Sequence, residues 1–167
     1  MNSATRRTIS HLETDFDRFR SLSGGSERQA DRISGWSVGQ HLNHLMQADR
    51  RIFGFFETPM DEPMPPLSRT GRIILWTGWI PRGKARAPKA VAQPENPGAE
   101  QLVTDIGDVR ELVMRSLEPA ERLADPALIA RHHLLGGMSA AQWLRFTVVH
   151  HRHHLKIVRD ILRADAA

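Results

Sequence analysis

The sequence predicts an all-α protein, a four-helix bundle with a long Pro-rich crossover between helices two and three. Three observations predict it. Four segments repeat apolar residues at the period of a helix buried on one face. Two of them open on capping boxes, SVGQ at Ser37 and SAAQ at Ser139, in which the Ser and Gln side chains satisfy each other's backbone N–H groups. Eight of the ten prolines lie between Thr58 and Gly98, and so many prolines exclude a long helix there. No repeat and no convincing strand is visible.

The first helix, expected near 4–22, has Ile9, Leu12, Phe16 and Phe19 on one face and stops at SLSGGS. The second, near 37–56, follows Trp36 and carries Val38, Leu42, Leu45, Asp49, Ile52, Phe53 and Phe56. Within Thr58–Gly98 one short apolar piece, Ile73 to Ile80, holds Trp76 and Trp79 and is read as a short helix. Burial of these two tryptophans at the mouth of a site would make the segment a lid, with an outer-surface or dimer contact as the alternative. A third long helix, near 100–117, has the stripe Leu102, Ile106, Val109 and Val113, and a fourth runs over 139–164.

The 167 residues fit one domain, taken as 1–167. Cysteine is absent, which excludes disulfides, thiolate nucleophiles and Cys-ligated metals. A net charge of +4 is too small to argue for nucleic acid. The first residues, MNSATRRTISHLETDF, lack the apolar run of a signal peptide, and IILWTGWI is too short to span a bilayer. The expectation is a cytoplasmic protein with no nucleic-acid or membrane partner.

Four of the nine histidines fall in HHRHH, on the fourth helix. At about 100° per residue, Trp143, Thr147, His150, His154, Ile157 and Ile161 share the inward sector. His151 lies toward the leucine shoulder and His153 at the other edge. Burying two bare imidazoles would leave nitrogens unpaired at roughly 1–3 kcal/mol each. A divalent metal removes that cost, and an i, i+4 histidine pair is a common helical grip for one. Hydrogen bonds among histidines or to neighbouring helices are the plainer alternative. A third ligand would come from helix two, where His41 lies nearer the apolar centre than His44. His132 and His133 are expected at the surface or behind the ligands, and His11 in solvent.

WSVGQHLNHL resembles the second-helix motif of the DinB/YfiT-like superfamily, with a histidine eight positions after the tryptophan, here His44. HHRHHLKI resembles its last-helix motif, a histidine followed by a His-His pair at plus three and plus four, which marks His150 and His154. The resemblance covers most of the chain. It implies an up-down-down-up bundle, often a homodimer, whose metal ligands are His44, His150 and His154. Members include thiol-dependent S-transferases and isomerases and proteins described only as metal-dependent hydrolases. The Pro-rich Thr58–Gly98 segment departs from the simplest members.

Three neutral imidazoles leave a metal with open positions, the arrangement of a catalytic centre. The expected cofactor is a divalent ion, Zn first, with Ni or Mn also compatible. The expected chemistry is activation of water or of a low-molecular-weight thiol toward a small-molecule substrate. A non-catalytic bundle that binds a metal or small ligand is the rival. Gln40, Asp49 and His153 are candidates to support the ligands or touch substrate. No serine triad, phosphate-cradling glycine loop or pair of catalytic carboxylates stands out.

Overall fold

The computed structural model describes residues 3–57, 64–83, 94–118, 123–125 and 128–164. The chain is mostly helical, with one small sheet. Its elements are α1 (Ser3–Leu22), α2 (Val38–Glu57), α3 (Arg69–Thr77), α4 (Ala99–Ser116), β1 (Ile129–His132), β2 (Gly136–Ser139) and α5 (Ala140–Ala164). The four long helices begin and end within one residue of the sequence expectation. Both α1 and α2 pack against α4 and α5.

The expected stripes form the core. Leu12, Phe16 and Phe19 of α1 meet Val38, Leu42, Leu45, Phe53 and Phe56 of α2, Leu102, Ile106, Val109 and Val113 of α4, and Trp143, Ile157 and Ile161 of α5. Both capping boxes are made. Ser37 N–H donates to Gln40 Oε1 at 2.9 Å and Gln40 N–H to Ser37 Oγ at 3.2 Å. Ser139 and Gln142 repeat the pattern at 3.0 and 3.4 Å. At the far end of α5, Arg28 and Arg32 donate to the carbonyls of Leu162 and Ala164, which the helix itself leaves without partners.

The absence of strands is corrected. β1 and β2 form an antiparallel hairpin pairing Ile129 with Ser139 and His132 with Gly136. Tertiary contacts hold it, because Ala, Arg, His and Gly carry little strand preference of their own. Gly137 N–H donates to Pro65 O at 2.9 Å, Ser68 N–H to Leu135 O at 2.7 Å, and Trp143 Nε1 to Ala130 O at 3.1 Å. Gly136 has φ +87°, and a Cβ there would stand 2.3 Å from Pro66 O, so only glycine fits.

The short helix of the crossover is present as α3. Ser68 caps its start, accepting from Gly71 N–H, and Gly78 ends it in the left-handed region at φ +65°. Its tryptophans do not have the burial expected of a lid: Trp76 is 83% and Trp79 61% exposed. The reason is that α3 lies along the outer side of α5. Arg145 donates to the carbonyls of Leu75 and Trp76, and Arg82 pairs with Asp160 at 2.7 Å. The inward side of α3 is Ile74 and Leu75, both buried. The returning limb, 94–98, lies on the start of α2, where Gln40 and Asn43 donate to the carbonyls of Pro94 and Glu95.

Candidate metal centre

The cap at Ser37 starts α2 so that His41 and His44 face α5 one turn apart. On α5, His150 and His154 stand four residues apart on the side turned toward α2. One nitrogen from each of His44, His150 and His154 lies within 4.8 Å of the other two. The Nε2 atoms of His44 and His150 are 3.3 Å apart. Two nitrogens each about 2.0–2.1 Å from a tetrahedral ion would be separated by about 3.3–3.4 Å. His44 and His154 are buried and His150 is partly exposed.

His41 has a different place. Its Nδ1 lies 2.9 Å from Nδ1 of His154 and its Nε2 3.0 Å from Ser34 Oγ. If His154 donates through Nδ1–H, His41 accepts at Nδ1 and passes its own Nε2–H to Ser34. That tautomer set leaves the Nε2 lone pair of His154 for a metal. His41 therefore stands behind a candidate ligand, where it can orient the His154 ring from outside. The 26–36 loop is fixed by Val38 N–H donating to Arg28 O and Gly39 N–H to Ser26 O, both at 2.9 Å. It brings Trp36 over the cluster, with ring centroids 5.2 Å from both His41 and His44 and 6.4 Å from His154.

The electrostatics suit neutral imidazoles. Burial, then the neighbouring His44, His153 and Arg82, push His41 down to about 4. Burial and the surrounding histidines hold His150 and His154 well below the ordinary 6.5. Nδ1 of His150 is buried with no hydrogen-bond partner among the described residues. A cluster of neutral, crowded imidazoles with lone pairs facing inward fits a divalent cation.

The other histidines divide cleanly. His151 is fully buried, deeper than the shoulder position expected from the helical wheel, because α1 covers that side of α5. Phe16 and Phe19 meet its ring edge-on at 5.9 and 4.9 Å. Its Nε2 is 2.8 Å from Asp49 Oδ2, and its Nδ1 is 3.5 Å from Asp15 Oδ2, too far for a well-formed hydrogen bond. Burial disfavours the charged ring, but Asp49 and Asp15 together outweigh it and raise His151 to about 9. Asp49 is thereby committed to a core ion pair, and Gln40 to the helix cap and the Pro94 carbonyl. Of the three residues suggested as supports or substrate contacts, His153 lies beside the cluster, its ring centroid 5.1 Å from that of His154. Burial lowers its pKa, the backbone of Ile80 opposes this, and Arg82 adds to it.

His132 is partly buried and closes the hairpin turn, its Nδ1 accepting from Leu134 and Leu135 N–H. His133 stacks on it at 4.6 Å, and His11 is exposed as expected. Sequence reasoning missed Asp15 and Trp36 as parts of this region. Asp15 had a signal: an acid between Leu12 and Phe16 on a buried face needs a cation.

The family model of the DinB superfamily matches residues 6–158. The chain belongs to the DinB superfamily. Comparisons with curated proteins and with solved structures find no match. Among the described residues, no helix of this DinB chain is long and apolar enough to cross a membrane.

Proposed function

We propose that this chain is a metal-dependent enzyme of the DinB type, in which His44, His150 and His154 hold one divalent ion, Zn first and Ni or Mn as alternatives. The carrying observation is the convergence of the three imidazoles, one nitrogen of each within 4.8 Å of the other two and the His44–His150 pair at 3.3 Å. The up-down-down-up four-helix bundle and the homodimer belong to the same proposal. When bound, the ion would supply Lewis acidity to a water or to the thiolate of a small thiol, for hydrolysis or S-transfer. The protein's own groups prepare that chemistry. His41 orients His154, the face of Trp36 limits water around the rings, and His153 is placed to touch a substrate entering beside them.

A non-catalytic metal- or small-ligand-binding bundle is the second reading. It is favoured by one observation: the buried carboxylate of Asp49 is spent on His151 and is not offered as a general base.

Calorimetric titration of tag-free protein with Zn²⁺ tests the site. One equivalent should bind to the wild type and to His153→Ala, and none to His154→Ala. Binding should weaken on acidification, with an onset below the ordinary imidazole range, because burial already resists protonation of His150 and His154. Equal loss in both variants would remove the site. A panel of small thiols and hydrolysable esters given to the Zn-loaded protein then separates enzyme from binder.

A further inference from the structure

A cavity lies away from the histidine cluster, between the start of α1, the end of α3 and the outer side of α5. It measures about 240 Å³ and is lined by Arg7, Thr8, His11, Gly78, Arg145, Val148, Val149 and Arg152. Residues 145, 148, 149 and 152 lie on the side of α5 opposite 150 and 154, since each residue turns about 100°. Three guanidinium groups line this one space and no acidic residue does. Neither Arg7 nor Arg152 has an ion pair among the described residues.

One of the three cations is fixed in place. Arg145 is held by its bonds to the last carbonyls of α3. Gly78 ends that helix at φ +65°, and a Cβ there would stand 3.6 Å from Nη1 of Arg152. Bare backbone at this wall keeps the cavity open beside the guanidinium. Val148 and Val149 supply an apolar floor. The volume would take about eight waters at roughly 30 Å³ each, less than a drug-sized ligand needs. Guanidinium forks match the paired oxygens of phosphate and carboxylate.

We propose that the groove bounded by Arg7, His11, Arg145 and Arg152 is a binding site for a small polyanion, a phosphate ester or polycarboxylate, separate from the histidine cluster. The test is titration calorimetry of the full chain at low salt with inorganic pyrophosphate and, in a parallel arm, citrate. Saturable one-to-one binding of either anion is expected, and the stronger arm names the oxyanion class. Arg152→Gln and Arg7→Gln should each weaken it about tenfold or more, while Arg51→Gln, an equal charge change on α2, should not. His154→Ala should leave it unchanged, so the groove and the metal reading fail independently. No saturable binding, or equal weakening by all three arginine variants, would overturn the proposal. Binding to phosphatidic acid vesicles without binding to either soluble anion would also overturn it, and would assign the exposed Trp76 and Trp79 beside the groove to a lipid surface.

Discussion

His151 shows how one side chain can be misplaced by a helical wheel and still be explained by charge. The wheel centres a single buried sector, whereas α5 is covered by α1 on one side and α2 on the other. Asp49, at the centre of the apolar sector of α2, pairs with His151 at 2.8 Å, and Asp15 on α1, which also pairs with Arg18 at 3.3 Å, adds its charge from 3.5 Å. Replacing Asp49 by Asn should cost about 3–5 kcal/mol in chemical denaturation, since it strands a buried cation. A loss below about 1 kcal/mol would mean that His151 sits neutral in the core. The histidine cluster was legible at this scale only in part. Period and spacing pointed to His150 and His154 but favoured His41 over His44. The structure brings His44 into the cluster and sets His41 behind His154. The two differ by which nitrogen meets which neighbour, and that depends on packing across helices.

Among the elements, the long helices were readable because each carries an apolar stripe, and in α2 and α5 a capping box marks the start as well. The hairpin was not, because its pairing is enforced from outside by Pro65, Ser68 and Trp143 and not by strand-forming residues. That difference is measurable. Ser37→Ala should cost about 1 kcal/mol, the usual worth of a helix cap. Gly136→Ala should cost more, on the order of 2 kcal/mol or above, from the left-handed backbone and the collision with Pro66 O. Gly24→Ala, where a Cβ meets nothing within 4 Å, should be nearly silent. Urea unfolding of the three variants ranks them, and a silent Gly136→Ala would show that the hairpin is not built as described. Within the crossover the expected short helix is present, while residues 58–63 and 84–93 lie outside the described residues. Its tryptophans were misjudged because apolar character alone does not say which side of a nine-residue helix is covered.

For the whole molecule, the titrating histidines oppose one another. His151 is raised to about 9, so the stability it contributes is complete below its unfolded value of 6.5 and is lost as pH rises through 9. His41 is lowered to about 4, and His150 and His154 are lowered as well. Their contribution is complete above 6.5 and is lost as pH falls toward their folded values. Stability of the metal-free chain should therefore peak near pH 6.5 and decline on both sides, by up to about 3 kcal/mol for a group displaced as far as His41 or His151. Thermal melts from pH 4 to 9.5 check this. In Asp49→Asn the alkaline decline should shrink while the acid decline stays, and a melt profile flat between pH 6.5 and 9 in the wild type would contradict the buried imidazolium.

The four tryptophans stand in unlike surroundings, and this gives the molecule two separable kinds of light emission. Trp76 and Trp79 face water, so their fluorescence should lie to the red and be extinguished by iodide. Trp143 is buried with its indole N–H bonded to Ala130 O, out of iodide's reach. Trp36 rests against His41, His44 and His154. A paramagnetic ion such as Cu²⁺ taken up by the cluster should darken Trp36 and leave the red component bright. Iodide and Cu²⁺ should therefore remove different portions of the spectrum, and Trp36→Phe should abolish only the second.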